Sequence, residues 1–278
     1  MTSMTTPPRT RKQPLRLALR TDILTPKTIL MKHLDEQFKK NENNNNNNKN
    51  SITPIVLYTC GSLCPVHLQH VALQEMAKEY LEKHYNLKVV GGFLATSNDL
   101  YVGQKYKMSG RLESYLNWSQ RSELIDLALE NHPFLCQDKW DGEEQPRFQE
   151  YFMAQKHLQD HLNTWCKEQN YPKIRVLAVH GADLVNKCNI NEWFPTEGLG
   201  CVCIERPPNK LPSANPDKYF FSMPLPTEYK NRQGDNMSIS STRVQELLRG
   251  DVRKEGEVSV QEMLHPKVLE KLCQLWNL

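Results

Sequence analysis

The chain has 278 residues, 38% hydrophobic and 24% charged, a balance that allows one large or two small domains and excludes fibrous and wholly disordered classes. Its formal charge of +3 is uneven: residues 1–50 hold 10 Lys and Arg against 4 Asp and Glu, a net of +6, which leaves −3 on the remainder. A body of that sign lacks the basic face of a duplex binder, and no run approaches the roughly 18 apolar residues of a membrane span, so neither nucleic acid nor membrane is expected as a partner.

The first 21 residues contain no acid and place Arg9, Arg11, Lys12, Arg16 and Arg20 among Thr and Pro. Such a start is similar to a mitochondrial transit peptide, but Pro7, Pro8 and Pro14 interrupt any long amphipathic helix, which favours a solvated basic arm. After a short helical stretch near residues 27–40 come six consecutive asparagines, Asn43 to Asn48, too polar to bury. The expectation is a disordered basic arm and Asn-rich linker over 1–50 and a folded domain over 51–278.

Within that domain, short apolar runs of the buried-strand type alternate with helical periodicity. Residues 55–58, 89–94, 134–136, 174–179 and 201–204 read as strands. Residues 68–84, 119–129, 148–165 and 244–249 read as helices, the last closed by Gly250. Repeated alternation predicts an α/β fold, a parallel sheet with helices on both faces. The eight cysteines form no Cys-x-x-Cys pair and follow no secretory leader. They read as reduced thiols of an intracellular protein, cytoplasmic or nuclear in preference to mitochondrial.

Ligands of open parallel sheets gather beyond the carboxyl ends of the strands, where helix N-termini present free N–H groups to anions. Gly61-Ser62-Leu63-Cys64-Pro65-Val66-His67-Leu68-Gln69-His70 occupies such a junction. Gly61 lets backbone amides approach a phosphate, and His67 and His70, three apart, share a helix face. Two imidazole donors there suit the charge of phosphoryl transfer. Cys60, Cys64, His67 and His70 also have zinc-ligand chemistry, but both cysteines would have to leave the strand and turn, so no metal site is assigned.

Gly61-Ser62-x-x-Pro65-x-His67-x-x-His70 resembles the His-x-x-His segment of the nucleotidylyltransferase superfamily, and Ile239-Ser240-Ser241-Thr242-Arg243-Val244-Gln245 resembles its Ile-Ser-Ser-Thr-x-Ile-Arg segment. On physical grounds alone the three hydroxyls read as helix N-caps. Intermediate stretches narrow the resemblance to the nicotinamide/nicotinate mononucleotide adenylyltransferases. These are Asn98-Asp99-Leu100-Tyr101 with Lys105 and Lys107, then Trp140-Asp141, and then Gly181-Ala182-Asp183-Leu184. The resemblance implies a Rossmann-like fold of nucleotidylyltransferase type that transfers AMP from ATP to the mononucleotide and releases pyrophosphate, with Mg²⁺ bridging the phosphates.

It further implies charge stabilisation by His67, His70 and Lys105. Nucleotide contacts would fall to Gly61, Ser62, Gly181, Asp183, Ser240, Ser241, Thr242 and Arg243, with Trp140 and Trp193 beside the pyridine ring. Both tryptophans also read as core and Asp183 as an N-cap. Lys105 and Lys107 also read as solvated lysines of a polar loop, and Arg121 as either a phosphate ligand or a surface charge. Lys107-Met108-Ser109 is similar to a class I tRNA synthetase segment but lies too near the His pair, and His157 and His161 lack a His-Glu-x-x-His pattern.

The chain departs from the pattern at Leu63 and Cys64, usually Phe and Asn or Asp, and at Gln245, usually Arg. The last change removes a permanent charge from the triphosphate, which Arg243 would have to replace. Two alternatives therefore stay open: another adenylyl- or cytidylyltransferase with a different acceptor, and a degenerate, non-catalytic nucleotide binder. A homo-oligomer is also left open.

Overall fold

The first strand, β1 (Thr53–Gly61), alternates its apolar side chains between two layers. Ile55 and Leu57 enter one core while Val56 and Tyr58 enter the other, as the two-residue period of a strand covered on both faces requires. The computed structural model describes residues 21–38, 52–143, 150–226, 239–250 and 257–278. After β1 come α2 (Leu68–His84), β2 (Leu87–Thr96), α3 (Asp99–Met108), α4 (Trp118–Ala128), β3 (Leu135–Asp138), α5 (Trp140–Glu143), α6 (Tyr151–Glu168) and β4 (Arg175–Gly181). The chain continues through α7 (Ala182–Cys188), α8 (Ile190–Trp193), β5 (Gly200–Ile204), β6 (Phe220–Met223), α9 (Ser241–Leu248), α10 (Val260–Met263) and α11 (Pro266–Trp276), and α1 (Thr28–Gln37) precedes them all.

The six strands run in the order β3-β2-β1-β4-β5-β6, every neighbouring pair parallel. The expected Rossmann-like fold is therefore present. α2, α4, α9 and α11 pack on one face through Leu81, Leu124, Val244 and Leu272. α1 and α6 cover the other through Leu34 and Leu158, and α7 and α8 extend that face over β5. Strand order reverses between β1 and β4, and the crevice beyond their carboxyl ends is where such sheets bind ligands.

The structure differs from the sequence reading in several places. First, the expected border at residue 51 excludes residues that pack: Leu24, Leu30 and Leu34 are buried against Val90 and Phe93. The Thr25 hydroxyl donates to Asp138 Oδ1 at 2.7 Å. A Cβ on Gly91 would lie 2.3 Å from Leu30 Cδ2, so the strand is glycine where the helix meets it. The basic composition around this segment hides its three apolar anchors. The arm before residue 21 and the asparagine tract lie outside the described residues.

Second, Lys105 and Lys107 stand on α3 and not in a loop. Asn98 caps it, its Oδ1 accepting from the Tyr101 N–H at 3.3 Å, and only Val102 and Tyr106 are buried, too few to give a periodic signal. Third, the four-residue β6 was not anticipated. The long helix α6 begins at Tyr151, three residues after its expected start at Phe148, which lies outside the described residues.

Candidate active site

β1 ends at Gly61, the chain turns through Leu63 in a left-handed conformation (φ 41°), and His67 becomes the N-cap of α2. The His67 backbone N–H donates to Nδ1 of His70 at 3.1 Å. That bond uses the lone pair of Nδ1 and leaves the hydrogen of His70 on Nε2. The two rings stack with centroids 3.6 Å apart. Burial, with Arg206 opposing a further positive charge, lowers the His70 pKa to about 4. Burial first, then repulsion from Arg206 and from His70 whenever that ring is protonated, holds His67 well below 6.5. Near neutrality both are uncharged rings carrying one N–H each.

The opposing wall is the start of α9. Ser240 caps the helix, its Oγ accepting from the Arg243 N–H at 3.1 Å, while the Ser241 hydroxyl donates to the Pro65 carbonyl at 2.8 Å. The two motifs, far apart in sequence, thus form one rim. Between them lies a cavity of about 200 Å³, bounded by His67 and His70, by Gly181 and Arg206 beyond β4 and β5, and by Ser240 and Ser241. Arg206 escaped the sequence reading. Its signal was its place two residues after a buried strand, the same carboxyl-end rule that singled out Asp183. The half-exposed pair Arg206 Nη1 and Asp183 Oδ2 are 3.3 Å apart.

Lys105 does not line that cavity; it reaches the turn after β1, Nζ donating to Ser62 Oγ at 3.1 Å, and burial and the nearby Arg111 lower its pKa. Thr242 is turned toward the same side, Oγ1 accepting from Arg111 Nη1 at 2.6 Å. Arg121 is neither a phosphate ligand nor a surface charge. It is wholly buried and donates to the carbonyls of Leu116, Ser62 and Ser97 at 2.9, 3.0 and 2.8 Å and to Asp99 Oδ1 at 2.8 Å.

Three expected contacts are not assembled. Arg243 is turned away from the rim and held by Glu257, Nη2 to Oε2 at 2.8 Å, and by Glu246. Trp140 has no exposed surface and stacks on His157 at 4.2 Å, so it presents no face to a ligand. Trp193 donates Nε1–H to the Cys188 carbonyl at 2.9 Å and packs against Phe152 and Phe194; it does not line the cavity. Gln245 is buried, with Nε2 donating to the Cys64 carbonyl at 2.7 Å and to the Tyr106 hydroxyl at 2.6 Å.

Among the described residues no three His, Cys, Asp or Glu side chains converge as a metal cage. The Cys60 thiol lies 3.6 Å from Ser97 Oγ and the Cys64 thiol 3.8 Å from the Ser114 carbonyl. All eight cysteines are free, and no helix among the described residues is long and apolar enough to cross a membrane.

Strand order, the His-x-x-His turn at the order reversal and the serine-capped helix closing over it define a Rossmann-like protein of the nucleotidylyltransferase type. No protein-family model matches the chain. It is 22% identical over 244 residues to nicotinamide/nicotinic acid mononucleotide adenylyltransferase 1 of Bos taurus, covering 71% of this chain and 81% of that protein. It is 26% identical over 211 residues to the Oryza sativa subsp. japonica enzyme of that name, covering 70% and 76%. Against adenylyltransferase 1 of Saccharomyces cerevisiae it is 25% identical over 216 residues, covering 70% of the chain but half of that protein. The solved structure of Plasmodium falciparum nicotinic acid mononucleotide adenylyltransferase complexed with APC superposes with a TM-score of 0.50 at 14% identity, over 81% of this chain and 98% of that one; this likeness is one of fold. The chain is a relative of the nicotinamide/nicotinic acid mononucleotide adenylyltransferases.

Proposed function

We propose that the protein is an adenylyltransferase that transfers AMP from ATP to nicotinamide or nicotinate mononucleotide, on a single domain that includes α1. The observation that carries this is the pairing of two neutral, stacked imidazoles with the Ser240-Ser241 rim across one cavity; the names of the curated relatives support the acceptor.

The mononucleotide phosphate oxygen attacks the α-phosphorus of ATP in line. The bond from that phosphorus to the bridging oxygen breaks, and pyrophosphate leaves with the electron pair. The nucleophile is already an anion, so no protein base is needed, and catalysis is positioning plus charge stabilisation. His70 Nε2–H and the His67 ring donate to the oxygens on which charge gathers, and Lys105 adds a positive field through Ser62. Ser240, Ser241 and Thr242 receive the far phosphates, Gly61 and Gly181 let backbone approach the nucleotide, and Asp183 with Arg206 closes its adenosine side.

Mg²⁺ enters with ATP as part of the substrate, neutralising phosphate oxygens.

Pyrophosphate release with Mg-ATP and nicotinamide mononucleotide tests the proposal. Release should need both substrates and fall about 10²–10³-fold in His70→Ala. Undiminished turnover in that variant sinks the assignment. Release with some other phosphorylated acceptor instead would favour a sister transferase, and ATP binding without release a non-catalytic binder.

A further inference from the structure

We propose that Arg111, on the loop after α3, is the permanent cation of this chain's triphosphate subsite, in place of the charge that position 245 on α9 lacks. The inference rests on the ATP-dependent reading above and concerns which residue holds the far phosphates.

α9 presents no spare positive charge at its own N-terminus. Gln245 is neutral, 2% exposed, and its amide is committed to Cys64 and Tyr106. Arg243 is matched by Glu257 and Glu246. Arg111 is otherwise placed: its contacts are neutral, with Nη1 donating to Thr242 Oγ1 at 2.6 Å, Nε donating to Ser109 Oγ at 3.2 Å, and the guanidinium 5.4 Å from the Tyr106 ring centre. Among the described residues no carboxylate pairs with it. Gly110, in the left-handed region at φ 67°, turns the chain that carries it.

Lys105 sits close by and repeats the arrangement on the other motif, its ammonium donating to Ser62 Oγ at 3.1 Å. Each hydroxyl spends a lone pair on a cation, so its own hydrogen is free for an acceptor opposite. Two cations therefore polarise two hydroxyl donors, one on each phosphate-facing motif. Their mutual repulsion, which contributes to the lowered pKa of Lys105, is relieved by an anion between them. A guanidinium fork matches two non-bridging phosphate oxygens better than an amide could.

Calorimetric titration of the full chain with Mg-ATP and separately with AMP tests this without requiring any acceptor. Arg111→Gln should weaken Mg-ATP about ten- to a hundred-fold and leave AMP within about two-fold, as expected for one charge-assisted contact to the β- and γ-phosphates. Arg111→Lys, which keeps the charge, should retain most of the preference for ATP. Arg249→Gln, an exposed arginine bonded to the Glu113 carbonyl, should not change it. An unchanged ATP-to-AMP affinity ratio in Arg111→Gln, whether both nucleotides bind as before or weaken together, overturns the proposal. Equal loss of that ratio in Arg111→Lys and Arg111→Gln assigns the effect to the Thr242 hydrogen bond and overturns the charge role. Should the wild-type protein fail to turn over pyridine mononucleotide, the ratio still decides the role of Arg111.

Discussion

Arg121 and Ser62 are joined across 59 residues, the buried guanidinium donating through Nη1 to the Ser62 carbonyl at 3.0 Å. The same group holds Leu116, Ser97 and Asp99, so one side chain fixes the turn after β1, the end of β2 and the start of α3. Arg121→Met should lower unfolding stability by about 3 kcal/mol or more, because it strands several buried carbonyls at once. Arg121→Lys should recover little, since an ammonium lacks the five fixed donors of the guanidinium. Urea denaturation of the three proteins checks this; near-equal midpoints would contradict it.

Gln245 marks where a family pattern and its physical setting part. An arginine there would bring a charge into a pocket already filled by the Cys64 carbonyl and the Tyr106 hydroxyl. Gln245→Arg should therefore destabilise the fold, by about 1–3 kcal/mol, without tightening ATP. A thermal melt and an ATP titration read both effects, and tighter ATP binding in a stable variant would refute this account.

Acid sensitivity follows from the imidazoles. His67 and His70 titrate below the ordinary 6.5 and so does His180, at about 4, chiefly because burial penalises their charged forms. Below pH 6.5 the unfolded chain takes up protons that the native state refuses. Their contribution to stability is complete above 6.5 and is lost as pH falls from there toward 4. Each contributes a slope of up to ~1.4 kcal/mol per pH unit in that window. Stability measured from pH 7 to 4.5 should fall, and more gently in His180→Phe. A flat profile would count against neutral burial.

The packing of α1 gives a test far from the chemistry. Leu34 is fully buried against the sheet, so Leu34→Ala should cost about 2–5 kcal/mol. Removal of residues 1–38 should leave Val90 and Phe93 bare and the product aggregating. A truncated protein melting like the full chain would return the domain border to residue 51.

The parts of the fold legible in sequence were those with dense local signals. β1, α2 and the His67–His70 turn follow from an apolar run, a Gly and Pro break and a helical period within 30 residues. α3 was illegible because Val102 and Tyr106 alone anchor it; α1 was legible as a short helix near residues 27–40, but its place in the folded domain was hidden because its leucines sit in a basic, low-complexity neighbourhood. Arg111 and the setting of Gln245 acquire meaning only from partners more than 20 residues away, which no local window contains. Trp140 shows the opposite error: a motif match named it, but burial decides what a ring can touch.

The bond from the Ser241 hydroxyl to the Pro65 carbonyl spans 176 positions. On a ribosome adding about 5–20 residues per second, the histidine turn is made roughly nine to thirty-five seconds before the serine that closes over it. For that interval the emerging chain carries half a rim, and a transcript cut short before α9 yields a polypeptide that has its imidazoles but no opposing wall.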